Sequence, residues 1–146
     1  MHINQPLNVL IGNYEESINT LISEMVKEVI QDKFDLTILT CSHSENILLE
    51  ADENPIDLFI IIINNIIFPS ASTIQDSVEN PLQLLAHIKT KYQKPIIALS
   101  GWSDNSTLSD EVKYLSDFFF LLPFEPDSLG EAIEKCLNIL PVQRNC

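Results

Sequence analysis

The chain has 146 residues, of which 45% are hydrophobic, and its formal net charge is −13. A chain of this length and composition can bury one sizeable core, so we expect a single domain over 1–146 with its core at about 8–140. The negative charge excludes nucleic acid and anionic membranes as partners, because both carry charge of the same sign. Basic surfaces of partner proteins remain compatible with this charge.

Cysteine usage and hydropathy favour a cytoplasmic protein. The segment Met1 to Pro6 has no basic stretch ahead of an apolar one, so no signal peptide is predicted. The three cysteines lack metal-like spacing, and Cys41 and Cys136 lie in apolar patterns typical of buried thiols, whereas Cys146 lies at the end of the sequence. The apolar run 58–68 is shorter than the roughly 20 residues that span a bilayer. We therefore predict a buried strand there.

Strands and helices alternate in the first part of the chain. A strand is predicted from Asn8 to Gly12, followed by a helix whose apolar residues repeat at helical spacing. We expect Asn13 to cap that helix, with Glu16 reaching back from the third position. A second strand at 36–41 and a weaker second helix at 44–54 follow. The predicted inward stripe of the first helix is Ile18, Leu21, Ile22, Met25, Val26, Val29 and Ile30.

The same alternation continues to the end of the chain. The run from Asp57 to Ile63 is continuously apolar, as expected for a central parallel strand covered on both faces. Asn80-Pro81 is typical of a helix start, with a capping residue followed by proline. The remaining predicted elements are a strand at 95–100, a helix at 106–116, a strand at 118–122 and a helix at 127–140. Predicted inward residues are Leu82, Leu85, Ile88 and Tyr92 in the third helix and Leu129, Ile133, Cys136, Leu137 and Leu140 in the last.

Five strand-helix repeats predict an α/β fold with a doubly wound, flavodoxin-like parallel sheet. The expected strand order is 2-1-3-4-5, with helices on both faces. Ligands of such folds bind at the carboxyl ends of the strands. The candidate functional positions are therefore those that follow strands 1, 3, 4 and 5, namely Asn13, Asn64 or Asn65, Ser100 and Leu122.

The connection between strand 3 and helix 3, residues 64–80, is longer than the about 2 to 6 residues usual in such units. Two interpretations stay open for it. It is either a surface insertion with a short helical turn near 72–78, or a binding loop beside the candidate site.

Two stretches carry a resemblance to a known family. Residues 95–100 and 117–129 resemble strand 4, strand 5 and the proline-phenylalanine turn of CheY-like response-regulator receiver domains, which act in two-component signalling. Pro69, four residues after Asn65, resembles the loop that follows the phosphoacceptor of that family. The resemblance extends over about 8–140 and implies the CheY-like fold.

The resemblance also implies that the phosphorylation site is degenerate. The family's acidic pair falls on Asn13 and Tyr14, its phosphoacceptor aspartate on Asn65, its hydroxyl on Ser100, its lysine on Leu122 and its aromatic switch residue on Phe119. Of the positions compared, only Ser100, Phe119 and Pro123 match the family pattern. The chain is therefore similar to a pseudo-receiver, or atypical response regulator.

These departures remove the chemistry of phosphorylation. An asparagine amide is neutral and weakly nucleophilic, so Asn65 is not expected to accept a phosphoryl group. Magnesium prefers carboxylate ligands, so its binding is expected to be weak or absent. Leu122 offers no cation for a phosphoryl oxygen. Glu15 and Glu16 would restore acids only with a shift in register, and we assign them instead to the positive end of the first helix.

The expected function is phosphorylation-independent protein–protein interaction rather than enzymatic activity. The resemblance implies a protein partner on the surface of helix 4, strand 5 and helix 5, and loop 64–80 is the other candidate; a homodimer stays open. One alternative is a phosphorylatable receiver with a non-standard acceptor. Another is a flavodoxin-like domain that binds a small ligand, although 12–17 places acids where a cofactor phosphate would lie. Trp102, after strand 4, is either a partner anchor or a loop-packing residue.

Overall fold

The computed structural model describes residues 5–31, 33–69, 78–101, 106–121 and 125–138. Its strands are β1 (Pro6–Gly12), β2 (Asp35–Cys41), β3 (Leu58–Ile62), β4 (Ile96–Ser100) and β5 (Phe118–Leu121). Its helices are α1 (Glu16–Ile30), α2 (Ser44–Glu53), α3 (Pro81–Tyr92), α4 (Ser106–Leu115) and α5 (Pro126–Leu137). The strands form one parallel sheet in the order β2-β1-β3-β4-β5, which confirms the predicted fold.

The core consists of two layers, one on each face of the sheet. Every residue of β3 and β4 is buried, because these strands lie inside the sheet and helices cover both of their faces. Since successive side chains of a strand point to opposite faces, Phe59 and Ile61 pack with α2, α3 and α4, while Ile60 and Ile62 pack with α1 and α5. This packing on both faces holds the strands in position, and with them the residues at the carboxyl edge of the sheet.

The start of α1 differs from the sequence prediction. The N-cap residue is Glu15, without a side-chain capping bond, so the predicted capping role of Asn13 is wrong. The chain runs two residues past Asn13 before the helix begins, and the Asn13 amide bonds inward to Asn19 instead. Leu21, predicted to face inward, is 53% exposed, because the buried row of α1 centres on its neighbour Ile22 and Leu21 lies at its flank.

The other helix ends follow local chemistry. Asn80 caps α3 as predicted, since its Oδ1 accepts a hydrogen bond from the Gln83 backbone N–H at 2.9 Å. Leu84 is fully buried in α3, although the predicted stripe left it out. α5 ends at Leu137, earlier than the predicted residue 140, because Asn138 adopts a left-handed conformation with φ of 57°. Leu140 lies outside the described residues.

Cys41 and Cys136 lie in the two core layers. Cys41 is buried, as predicted, and burial raises the pKa of its thiol to about 11. Cys136 is only half-buried, and burial followed by the charge of Asp117 raises its pKa to about 12. Both thiols are protonated at neutral pH and therefore poor nucleophiles. No helix in the described part of the chain is long and apolar enough to cross a membrane.

Helices α2 and α3 are linked by a polar contact beside the core. The Tyr92 hydroxyl donates a hydrogen bond to the Asp52 carboxylate, and Lys91 Nζ lies 2.7 Å from Asp52 Oδ1. These two partners lower the pKa of Asp52, and burial and the Asp52 hydrogen bond raise the pKa of Tyr92. The charged form of Asp52 therefore stabilises the folded chain.

We expect Tyr92→Phe to lower the stability of the domain at neutral pH by a small amount. Because the pKa of Asp52 is lowered on folding, its contribution is present above the unfolded pKa and is lost as pH falls through the folded pKa. The difference between the two proteins should therefore shrink on acidification. The urea midpoints of the natural chain and Tyr92→Phe at neutral and acidic pH measure this stability difference. A stability difference that grows on acidification would contradict this account. Tyr114→Phe, at an exposed tyrosine outside this contact, is the matched control.

Candidate functional site

The predicted site positions lie together at the carboxyl edge of the sheet. Asn13 follows β1, Asn64 and Asn65 follow β3, and Ser100 ends β4. Three of these side chains are buried although they are polar, with exposures of 1% for Asn13, 7% for Asn65 and 3% for Ser100. Parallel strands place such residues side by side because their carboxyl ends meet at one edge. The described candidate positions thus share one edge of the sheet, and their role as a site stays a prediction.

Backbone hydrogen bonds join the loops at this edge. The Tyr14 N–H donates to the Asn65 carbonyl at 2.9 Å, which ties the loop after β1 to the loop after β3. The loop after β3 is also joined to the loop after β2, through the Ile67 N–H to Ser42 at 2.8 Å and the Ser44 N–H to Ile67 at 3.0 Å. The first residues of loop 64–80 are therefore paired with the rest of the fold. The helical turn predicted near 72–78 lies outside the described residues except for Val78, which is buried.

Asn13 is held by a pair of amides. Its Nδ2 donates to Asn19 Oδ1 at 2.9 Å and to the Glu15 carbonyl at 2.8 Å, and Asn19 Nδ2 donates back to the Asn13 carbonyl at 3.2 Å. The remaining polar atom, Asn13 Oδ1, is buried without a hydrogen-bond partner. Asn13 thus stabilises the loop before α1 and keeps one acceptor unused.

A second chain of contacts crosses from β4 to α1. Asn64 Oδ1 accepts from the Gly101 N–H at 2.8 Å, and Asn64 Nδ2 lies 3.4 Å from Asn65 Oδ1. Asn65 Nδ2 in turn lies 3.4 Å from Glu15 Oε2. Gly101 permits this arrangement, because a Cβ there would stand 2.9 Å from Asn64 Nδ2. The sequence left Asn64 and Asn65 as alternative candidates, and both contribute side chains to this chain of contacts.

The contact of Glu15 with Asn65 was not predicted from the sequence. Glu15 was assigned only to the positive end of α1, yet its carboxylate also reaches the amide of Asn65. The signal in the sequence was its position two residues after Asn13, at the point where the helix begins. Glu15 therefore brings one negative charge to a site otherwise made of amides and a hydroxyl.

The other predicted site residues lie around this centre or outside the described ranges. Tyr14 is 53% exposed and presents its ring at the surface beside Asn65. Phe119 is half-buried in β5 against the α2–α4 layer, with Lys113 Nζ 6.0 Å from the centre of its ring. Leu122, Pro123 and Trp102 lie outside the described residues.

The donor set at this edge does not fit a magnesium ion. Magnesium takes carboxylate oxygens in near-octahedral geometry, whereas the described side chains around Asn65 are those of Asn13, Asn64 and Ser100 with the carboxylate of Glu15. Across the described ranges, no group of three His, Cys, Asp or Glu residues is placed to hold a metal ion. Among the described residues, the buried groups around Asn65 therefore offer hydrogen bonds rather than a set of charged metal ligands.

No family model and no curated protein matches the sequence, but many solved structures match the fold. A response regulator receiver domain protein from Clostridium thermocellum is similar at a TM-score of 0.67 and 21% identity, over 90% of this chain and 94% of that one. The Francisella response regulator 1452 receiver domain gives 0.64 and 18%, over 90% and 97% of the two chains.

The receiver domain of a sensor histidine kinase from Pseudomonas aeruginosa is similar at a TM-score of 0.68 and 12% identity, over 91% of this chain and 98% of that one. That structure has a magnesium ion coordinated in its active-site cleft. The strand order and these similarities in fold agree. The chain has the CheY-like fold of response regulator receiver domains.

Proposed function

We propose that this chain is an atypical receiver domain in two-component or phosphorelay-type signalling, acting through phosphorylation-independent protein–protein interaction. The observation that carries the proposal is the environment of Asn65. This residue follows β3, is 7% exposed and contacts Glu15 and Asn64 through its amide. A phosphorylatable receiver needs a carboxylate nucleophile at that place, and an amide is not one.

The proposal also accounts for the electrostatics of the edge. A transferred phosphoryl group adds about 1.5 to 2 negative charges. The contacts recorded for Asn65 bring the carboxylate of Glu15 close to it, and no basic side chain contacts it within the described ranges. An added phosphate would therefore be repelled. Shifting a two-state domain from 1:99 to 99:1 takes about 5.5 kcal/mol of differential binding, so a constitutive binding surface is the simpler mechanism.

Incubation with acetyl phosphate and magnesium should leave the intact mass of the protein unchanged. The expected result follows from the neutral Asn65 amide and the absence of an acidic pair at Asn13 and Tyr14. Intact-mass spectrometry measures it, with an active receiver domain treated in parallel as the positive control. A covalently phosphorylated chain would end the proposal.

If a phosphorylated species did form, the next question would be which residue carries the phosphoryl group. Glu15 is the first candidate, because its carboxylate contacts Asn65. Glu15→Gln would then abolish the added mass if Glu15 is a non-standard acceptor. Glu16→Gln, at the exposed neighbour on α1, is the matched control. Loss of the added mass in the first variant alone would establish the alternative of a receiver with a non-standard acceptor.

Two surfaces are proposed for the partner. The first is the face of α4, β5 and α5. On α4, Tyr114 is 79% exposed and lines an open hollow of about 300 Å³ with Asp110, Glu111 and Leu115, on the side of α4 that contacts Lys89 of α3. Lys89 steadies Tyr114, since its Nζ lies 4.9 Å from the ring centre and donates to the Tyr114 carbonyl. The second surface is loop 64–80. A homodimer through either surface is part of the same proposal.

A further inference from the structure

Within the described residues, the positive charges lie at one end of the sheet. Four of the helices carry their lysines in the last turn, and two further lysines follow α1 and α3. These residues are Lys27, Lys33, Lys89, Lys91, Lys94, Lys113 and Lys135. In a parallel doubly wound fold the helices end at the amino edge of the sheet. The remaining basic residue, Arg144, lies outside the described ranges.

The carboxyl edge carries acids instead. Helix starts and the residues just before them supply six exposed carboxylates, from Glu15, Glu16, Glu45, Glu79, Glu125 and Asp127. Acids favour helix N-termini through the dipole by about 0.3 to 1 kcal/mol each, which explains part of this arrangement. The helix dipole does not explain a second feature of this edge, which is that two apolar side chains are exposed beside these carboxylates.

Two exposed apolar side chains lie on the same edge. Tyr14 is 53% exposed and Ile67 is 42% exposed, although both belong to loops that are hydrogen-bonded to the sheet. The Tyr14 N–H bonds to Asn65, two residues before Ile67, so the two side chains flank one short segment. Exposed apolar groups within a polar rim are typical of a docking surface.

Two buried polar atoms at this edge have no hydrogen-bond partner. They are Asn13 Oδ1, after β1, and Ser44 Oγ, at the start of α2. Asn13 directly precedes Tyr14, and Ser44 bonds through its backbone to Ile67. Unsatisfied buried polar groups are rare in native structures and call for an explanation. Each unsatisfied group therefore lies next to one of the two exposed apolar residues.

We propose that the carboxyl edge is a docking surface for a segment of a partner protein that carries lysine or arginine beside apolar side chains. The apolar side chains would cover Tyr14 and Ile67, and the cations would meet the ring of acids. This inference rests on the proposed function and names the chemistry of its partner. It favours the carboxyl edge, which includes residues 64–69 of loop 64–80, over the α4–β5–α5 face.

The charge of this edge favours a basic protein segment over phosphate-bearing ligands and acidic peptides. The edge has no lysine among the described residues, and the sequence has no lysine or arginine at 70–77, 102–105 or 122–124, which follow described residues of this edge in the chain. Phosphate-bearing ligands and acidic peptides would therefore meet only like charge. A basic segment gains from the net charge of −13 during approach as well as in contact.

The test is a titration of the isotope-labelled chain with a short helical peptide of leucine and lysine, followed by amide chemical shifts. A peptide of the same length in which glutamate replaces lysine is the control probe. The lysine peptide should shift the amides at 13–16, 43–45 and 65–67 and should bind less tightly at high salt. Shifts centred on α4, or equal shifts with both peptides, would overturn the inference.

Matched variants separate docking from general electrostatics. Glu16→Gln, Glu45→Gln and Glu125→Gln together should weaken lysine-peptide binding about tenfold or more, which is about 1.4 kcal/mol. Glu28→Gln, Glu53→Gln and Glu134→Gln remove the same charge elsewhere and should have a smaller effect. Equal losses in the two triple variants would reject a localised surface.

The apolar part of the surface has its own pair of variants. Tyr14→Ser with Ile67→Ser should reduce binding of the lysine peptide at high salt, whereas Tyr114→Ser with Leu49→Ser, at exposed apolar residues elsewhere, should not. Absence of binding together with an unchanged mass after phosphodonor treatment would reject this docking surface alone. Phosphorylation of the chain would instead reject the proposed function.

Discussion

Replacing Asn13 and Asn65 by aspartate should lower the free energy of unfolding by about 3 kcal/mol or more in magnesium-free buffer. Both side chains are almost fully buried, and Asn65 already contacts the carboxylate of Glu15. Two new carboxylates would therefore be desolvated beside an existing negative charge, with no cation to pair with them. Magnesium should restore part of the lost stability, because three carboxylates now meet its ligand preference.

Urea denaturation with and without magnesium measures this result. Asn46→Asp with Gln31→Glu adds the same charge at exposed positions and should change stability little, with no response to magnesium. A double variant at Asn13 and Asn65 as stable as the natural chain in magnesium-free buffer would show that this edge tolerates buried charge. That result would contradict the expectation that carboxylates at these two positions destabilise the fold when no cation is bound.

Phe59→Ala should destabilise the domain by about 3 to 5 kcal/mol. Phe59 is fully buried in β3 between β1 and β4, and its ring centre lies 5.8 Å from that of Tyr92. Truncation removes buried apolar surface and leaves a cavity in the layer covered by α2, α3 and α4. Since domains of this kind have only about 5 to 15 kcal/mol of stability, much of the total would be lost.

The same urea experiment measures this loss, and Leu49→Ala is its control. Leu49 is 54% exposed on α2, so its truncation should cost less than about 0.5 kcal/mol. Equal losses at the two positions would contradict the assignment of Phe59 to the centre of the core.

The fold could be predicted from the sequence because its strong signals are local. The continuous apolar run at β3 and the Asn80-Pro81 start of α3 each indicate an element without reference to the rest of the chain. Alternation of strands and helices then leaves few topologies, since parallel crossovers are right-handed. The strand order followed from these facts and the resemblance.

The details of the site depended on contacts that a single sequence does not display. Asn13 looked like a helix cap because asparagine is a strong N-cap residue, but the helix begins two residues later with Glu15 at the N-cap, and the Asn13 oxygen that would have capped it has no partner. The contact between Glu15 and Asn65 joins residues 50 positions apart in the chain, so no local pattern indicates it. The pairing of Ile67 with the loop after β2 is likewise a tertiary contact.

The backbone bonds that join the loops at the carboxyl edge have a consequence for motion. The loops after β1, β2 and β3 are linked through Tyr14, Ser44 and Ile67, so displacing one loop breaks amide bonds to its neighbours. We therefore expect the three loops to open together rather than one at a time. If the edge binds a partner as proposed, this preorganised arrangement would lower the entropy lost on binding.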